Sequence, residues 1–285
     1  MTPSATPEQA HLSTDDLRKV CAFLYRLTGM QFGESKRYYI ERRLTERIVL
    51  TGCSNFAAYF SQLRSHPGER EALINAFTVN ETYFYREEHQ LACLSRSLLP
   101  DLITSRRPGD KIRIWSSPCS TGEEAYSIAI WLLDNWRMVD AYNVEVVGSD
   151  IDTRALSAAR EGLYGERALS RLPRDVVEAY FEPARRHRRK LIKDLRESVT
   201  FTQVNLVDGE NMASQGTFDV IFCRNVLIYF DEASRLLAAN NLYDRLAPGG
   251  YLCLGHTESM SRITDRFLVR RFENAIVFQR PGRGP

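Results

Sequence analysis

The stretch FDVIFCRNVLIYFD, residues 218–231, begins as an apolar strand and then places a cation and an amide, Arg224 and Asn225, where the strand leaves the core. A surface turn is one explanation. A ligand mouth at the carboxyl end of a parallel strand is the other. SSPCSTGEEAYSIAI, residues 116–130, likewise follows a strand-like run and opens a helix, but it holds only Gly122 where a G-x-G-x-x-G phosphate loop needs three glycines. Glu123 and Glu124 fall in the first helical turn. There they suit the helix dipole, which alone explains them equally well, and they would repel a pyrophosphate. A dinucleotide or ATP is therefore disfavoured. NVEVVGSD ends in Asp150, from which an acid can take both ribose hydroxyls, while Asp152 suits the N-cap of the next helix. Two acidic loops at neighbouring strand ends fit a nucleoside that carries positive charge and no phosphate. S-adenosylmethionine, with its ribose, sulfonium and ammonium, is such a ligand.

These loops need a scaffold that gathers strand ends. Beyond residue 110, Lys111–Ser117, Asn143–Asp150, Val199–Asn205, Phe218–Arg224, Tyr251–Gly255 and Ala275–Gln279 read as strands. Gly122–Trp136, Thr153–Glu161 and Asp231–Leu246 read as helices, the last stopped by Pro248-Gly249-Gly250. The alternation predicts a parallel sheet covered on both faces. No strand pattern precedes it. Thr14-Asp15-Asp16 followed by Leu17, Val20, Phe23, Leu24 and Leu27 predicts a capped amphipathic helix, broken by Gly29 and Gly33. Further helices are expected over Lys36–Leu50, Asn55–Leu63 and Gly68–Phe77. Gly162–Arg196 is too long for an ordinary connection and carries seven Lys/Arg against one acid, Asp194, between 185 and 196. It predicts a small inserted subdomain, a helix and a hairpin.

The 285 residues suffice for one large domain or two smaller ones. A net charge of +2 gives no global field toward nucleic acid or membrane. No apolar run approaches a membrane span, and Met1–Ser13 lacks the apolar core of a signal peptide and is expected to be unstructured. Six cysteines form no C-x-x-C and have no histidine at zinc spacing, so no metal site is expected and a reducing cytosol is.

Five segments occur in order: Asn80-Glu81-Thr82-Tyr83-Phe84-Tyr85-Arg86-Glu87, Cys119-Ser120-Thr121-Gly122-Glu123-Glu124, Ser149-Asp150-Ile151-Asp152, Phe222-Cys223-Arg224-Asn225-Val226-Leu227-Ile228-Tyr229-Phe230 and Gly255-His256-Thr257-Glu258-Ser259. On these the chain resembles the chemotaxis receptor glutamate O-methyltransferase family, CheR type, over roughly residues 15–280. The resemblance implies an α/β fold: a Rossmann-like, S-adenosylmethionine-dependent methyltransferase sheet with an all-helical N-terminal domain and a small inserted β-subdomain. The boundaries that go with it are a disordered start at 1–13, a helical domain and linker at 14–90, and a methyltransferase domain at 91–285 with the insert at about 163–198. By the same resemblance, Asn80, Thr82 and Arg86 reach the cofactor from the interdomain segment. Glu124 and Asp150 hold its amino group and ribose, Asn205 and Leu206 flank the adenine, and Arg224 and Asn225 line the same mouth.

The family's reaction moves the methyl group of S-adenosylmethionine to a glutamate on a chemoreceptor helix, giving a glutamyl methyl ester and S-adenosylhomocysteine in chemotaxis adaptation. A carboxylate is deprotonated at neutral pH, so no general base is required. Alignment and desolvation do the work, with the nucleophile about 3 Å from the methyl carbon. Arg86 is expected to hold the substrate carboxylate and Tyr229 to donate a second hydrogen bond; a core aromatic is the rival reading of Tyr229. Lys36, Arg43 and Arg47 share a helix face, and the family meets the acidic methylation region with a basic helix. A solvated face is the plain alternative, since Glu34, Glu41 and Glu46 partly cancel the charge, and the basic insert at 185–196 is another candidate dock. Family members that bind a receptor's C-terminal pentapeptide have a longer, glycine-containing hairpin loop. No glycine lies between Glu166 and Asp208, so no tether is expected. Ala125 stands where the family usually has proline, and both suit a first helical turn.

Two rival functions are weighed. The basic insert would suit a nucleic-acid methyltransferase, but Arg224-Asn225-Val226-Leu227 lacks the prolines of the N/D-P-P-Y/F loop common in base amino-group methylation. A non-catalytic S-adenosylmethionine-binding regulator is disfavoured by the intact set Arg86, Glu124, Asp150, Asn225 and Tyr229. The expectation is a cytoplasmic monomer whose partner is the cytoplasmic domain of a chemoreceptor (a methyl-accepting chemotaxis protein), with no nucleic acid and no membrane insertion.

Overall fold

A computed structural model describes residues 12–33 and 36–282. The chain divides into two compact units between Val79 and Asn80.

The first unit is helical. Ser13 opens α1 (Thr14–Thr28): its hydroxyl accepts the Asp16 amide at 3.1 Å while the Asp16 carboxylate accepts the Ser13 amide at 3.2 Å, a reciprocal capping box. Gly29 closes the helix in left-handed conformation. Helices α2 (Arg37–Leu50), α3 (Phe56–Ser65) and α4 (Pro67–Phe77) follow. Val20, Leu24, Leu44, Tyr59, Leu63 and Leu73 fill the core between them. Buried Glu69 accepts the Tyr59 hydroxyl at 2.8 Å and binds Arg47 through Nε at 3.0 Å and Nη2 at 2.5 Å.

Two expectations change here. Of the segment expected to be disordered, residues 1–11 lie outside the described residues, but Leu12 is buried and Ser13 is a cap. The basic docking face also breaks up. Lys36 is exposed at the N-cap of α2, Arg43 is half-buried with its guanidinium 5.0 Å from the Tyr39 ring centre, and Arg47 turns inward to Glu69. Helical spacing predicts a shared side but not which way that side faces, and the buried Glu69 carboxylate draws Arg47 out of solvent. Glu34 lies outside the described residues.

The second unit starts with α5 (Glu88–Cys93), a π-helical turn at Leu94–Leu98 and α6 (Leu99–Ile103). Strand β1 (Lys111–Ser116), α7 (Glu123–Asn135), β2 (Asn143–Asp150) and α8 (Thr153–Glu161) come next. The insert holds β3 (Leu163–Gly165), α9 (Glu166–Leu169), α10 (Arg174–Tyr180), β4 (Arg188–Lys190) and α11 (Lys193–Ser198). It is richer in helix than a helix and a hairpin. Then follow β5 (Val199–Gln203), α12 (Gly209–Ala213), β6 (Phe218–Cys223), α13 (Glu232–Arg245), β7 (Leu246–Leu254), β8 (Leu268–Phe272) and β9 (Ala275–Gln279).

The main sheet runs β5-β2-β1-β6-β7-β9-β8. Its first five strands are parallel, while β9 is antiparallel to both β7 and β8. The sheet is thus not parallel throughout: only Glu273 and Asn274 join β8 to β9, and so short a turn makes a hairpin. Pro248-Gly249-Gly250 lies inside the span of β7, at a register shift against β6, and does not precede the strand. In the insert β3 pairs antiparallel with β4, and Arg186 and His187 turn the chain in left-handed conformation between the bridged Arg185 and Arg188.

Ile112, Ile114, Ile128, Ile130, Val220 and Phe222 lie in the core between sheet and helices. After β1 the chain builds β2 and β5 on one side, then crosses to place β6 on the other. The carboxyl ends of β1, β2 and β6 therefore open onto one crevice. Among the described residues, no helix is long and apolar enough to cross a membrane.

Removing one partner of a buried pair leaves the other charge uncompensated. Glu69→Ala should therefore destabilise the helical unit by about 3 kcal/mol, and Glu69→Gln by less. Urea denaturation of the full chain checks this, and an unchanged midpoint for Glu69→Ala would contradict it.

Candidate active site

Ser116 ends β1 between Gly148 of β2 and Phe222 of β6. The loop that follows is pinned on both sides: Ser117 N donates to Phe222 O at 2.9 Å and Cys119 N to Ser149 O at 2.7 Å. Gly122 turns into α7 at φ 95°, and a Cβ there would stand 2.9 Å from Ala159 Cβ, so only glycine fits. Buried Asp150 accepts the Ser120 amide at 2.8 Å and the Asp152 amide at 2.9 Å, one on each oxygen. Burial, opposed by these amides, pushes its pKa up to about 6. Each oxygen keeps a lone pair for a further donor. Asp152 caps α8 and accepts Asn80 Nδ2 at 2.9 Å, and Asn80 Oδ1 accepts the Ser120 hydroxyl at 3.1 Å.

Arg224, just past β6, is 6% exposed. Its Nη1 donates to Glu124 Oε2 at 2.7 Å; its Nη2 stands 3.1 Å from Glu87 Oε2 and donates to Arg86 O at 3.0 Å. Ser116 Oγ donates to the other Glu124 oxygen at 2.8 Å, and Gln90 Nε2 donates to Glu87 Oε2 at 2.8 Å. Burial holds the Glu124 carboxyl above the ordinary range despite Arg224. Burial also raises Glu87, but Arg224 and His256 beside it outweigh that and bring it below. One guanidinium thus faces two carboxyls.

Asn225 follows at φ 59°. Glu258 accepts the amides of Asn225 at 2.7 Å, Leu227 at 2.8 Å and Gly255 at 3.0 Å, which fixes this bend. A Cβ on Gly255 would meet Asn225 Nδ2 at 2.7 Å. Tyr229 ends the 3-10 turn Leu227–Tyr229 half-buried and outside the core cluster, so the core-aromatic reading does not hold. Asn205 donates its amide to Asn211 Oδ1 at 2.8 Å, and Leu206 is buried beside it. Thr82 and Arg86 are half-buried on the segment before α5. Arg86 Nη1 donates to Glu81 O at 2.8 Å, and among the described residues no carboxylate pairs with it.

Residues 15–78 match the family model of the CheR methyltransferase all-alpha domain, and residues 80–276 that of the CheR methyltransferase SAM binding domain. The chain belongs to the CheR methyltransferase family. It is 46% identical over 264 residues to chemotaxis protein methyltransferase 2 of Vibrio cholerae, covering 92% of this chain and 91% of that protein. It is 36% identical over 266 residues to chemotaxis protein methyltransferase 2 of Pseudomonas aeruginosa, covering 90% and 93%. Against the chemotaxis protein methyltransferase of Escherichia coli the identity is 34% over 268 residues, covering 92% and 91%.

S-adenosylmethionine is the cofactor of this CheR domain, and the strand ends suit it. The lining is acidic: Asp150 has acceptor capacity beyond its two amides for a diol, and Glu124 opens α7 beside it. Asn80 is bonded into the β2 loop with Asp150, and Arg86 is bonded to Arg224. Arg224 and Glu124 are bonded to each other, so the buried guanidinium balances acids and engages one oxygen of Glu124. Lys36, Arg43 and Arg47 lie in the other unit. Sequence reasoning assigned no role to Glu87, Glu258, Ser116 or Ser120. Glu87 and Glu258 do stand inside the motifs, where an acid that has no partner nearby in sequence invites a search for a buried one.

A carboxyl whose folded pKa lies above its unfolded value takes up its proton first in the folded state. Asp150's contribution to stability therefore grows as pH falls through 6, while its capacity to accept hydroxyl donors is lost over the same range. S-adenosylhomocysteine affinity should fall by up to about tenfold per pH unit below that point, and Asp150→Asn should flatten the dependence. Titration calorimetry between about pH 5 and 8 measures both; a flat wild-type profile would contradict the assignment.

Proposed function

We propose that this methyltransferase acts on glutamate side chains of chemoreceptor cytoplasmic helices, forming glutamyl methyl esters. The full-length similarity to chemotaxis protein methyltransferases supports the setting. The substrate class rests on one observation: the acids at the strand ends already have partners. Glu87 and Glu124 face Arg224, Asp150 and Glu258 accept backbone amides, and Asp152 caps α8. With the remaining capacity of Asp150 given to the ribose, none of them serves as a general base. An amine would have to lose a proton, whereas a carboxylate arrives without one.

When bound, S-adenosylmethionine supplies an electrophilic methyl carbon. The chain's own residues hold and align. Asp150 accepts ribose hydroxyls, Glu124 draws the ammonium, and Asn205 and Leu206 flank the adenine. Arg86, whose guanidinium pairs with no carboxylate among the described residues, receives the substrate carboxylate by charge-assisted hydrogen bonds. Thr82 and Asn225 complete the wall and Tyr229 donates a second hydrogen bond. The two-residue turn at Arg186-His187 supports action without a pentapeptide tether. On this reading the protein is a cytoplasmic monomer that meets the receptor's cytoplasmic domain, and neither nucleic acid nor the bilayer.

Methyl-labelled S-adenosylmethionine should label chemoreceptor cytoplasmic fragments and leave RNA and DNA unlabelled. Arg86→Ala should lower kcat by about 10- to 100-fold, the loss of a charge-assisted bond, and Tyr229→Phe by about tenfold. Label on nucleic acid, or cofactor binding with no labelled receptor, would contradict the proposal.

A further inference from the structure

The segment Asn80–Glu88 is bent in an unusual way. Tyr85 and Glu87 hold left-handed backbone at φ 56° and 57°, although neither is glycine, asparagine or aspartate. Such strain persists only where the surroundings impose it. Three anchors do so. Phe84 is buried with its ring edge-on to Tyr164 at 4.8 Å and Phe181 at 5.3 Å. The Tyr85 amide donates to Ser127 Oγ at 3.0 Å. Glu87 reaches Arg224, and Gln90 fastens the same carboxylate while also donating to Leu254 O at 2.8 Å.

The two ends of the segment are fastened to different strands. Asn80 is tied to Asp152 and Ser120, beyond β2 and β1. Arg86 is tied through its carbonyl to Arg224, beyond β6, and Arg224 is held there by the carboxylates of Glu87 and Glu124. Glu124 is set by Ser116, so on the segment's own side the bond depends on Glu87. His256, 69% exposed, touches the second Glu87 oxygen from the solvent side.

We propose that Glu87 is a positioning residue. Through Arg224 it sets the place of Arg86, and with it the alignment of the accepting carboxylate, while the hold on the cofactor at the Asn80 end is independent. The inference rests on the carboxyl-methyltransferase reading above.

Glu87→Ala should lower kcat by about 100-fold, as misplacement by an ångström does, with S-adenosylhomocysteine affinity within about threefold of wild type. Asn80→Ala should do the reverse, weakening S-adenosylhomocysteine more than it lowers kcat. Glu87→Gly separates the carboxylate from the backbone strain, because glycine accepts the left-handed conformation freely. It should be as slow as Glu87→Ala. Hydrogen exchange of the unliganded protein gives a readout apart from activity: the amides of 85–88 should exchange faster in both Glu87 variants, and those of 80–82 should be unchanged. Wild-type kcat in either variant, affinity lost in proportion to kcat, or unaltered exchange at 85–88 would each overturn the proposal. If wild type binds S-adenosylhomocysteine but methylates no receptor, the functional reading fails, and the exchange result alone then decides whether Glu87 holds the segment.

Discussion

A buried guanidinium without an acid is an uncompensated charge, and a buried acid needs a cation or hydrogen-bond donors. Arg224 between Glu87 and Glu124 meets both needs, and the crevice is organised about that exchange. Through Glu124 and Ser116 it joins the end of β1 to the first turn of α7. Through Glu87 and the Arg86 carbonyl it fastens the segment that precedes α5. The elements meeting here are far apart in sequence but adjacent in the sheet, because β6 lies beside β1 at the point where the strand order reverses.

The same cluster sets the electrostatics. Many doubly wound sheets place a glycine-rich, donor-lined loop after the first strand, which suits phosphate. Here the loop after β1 spends its Ser117, Cys119 and Ser120 amides on Phe222 O, Ser149 O and Asp150, and the helix opens with two acids. The result favours cations and hydroxyl donors over phosphate. Glu258 completes the design on the far side, where its three backbone amides hold the bend that carries Asn225 and Tyr229.

Much of this scaffold is legible in the sequence. The runs Asn143–Asp150 and Thr153–Glu161 are β2 and α8 to the residue, because an apolar run ending in an acid, then a capping aspartate, then an amphipathic period leave little freedom. Strand β8 escapes because LVRRF is almost wholly exposed and shows no alternation. The helices before β1 escape because their apolar residues are buried on several sides and mask any period. At the site, the residue types are legible and their partners are not. Arg224 and Glu124 stand 100 residues apart, and no local pattern pairs them. Arg47 differs for the complementary reason: its spacing gives a face, and only the buried Glu69 shows that this side chain turns inward.

A nucleophile that needs no base is the core of the functional reading, and the bond it forms identifies it. The decisive measurement is mild alkaline treatment of chemoreceptor fragments labelled by this protein from methyl-labelled S-adenosylmethionine. Release of the label as methanol is the predicted result, since a glutamyl methyl ester hydrolyses under those conditions. Label that stays on the receptor through alkali would mean transfer to nitrogen or another stable acceptor, and would contradict a carboxylate as the group this crevice receives.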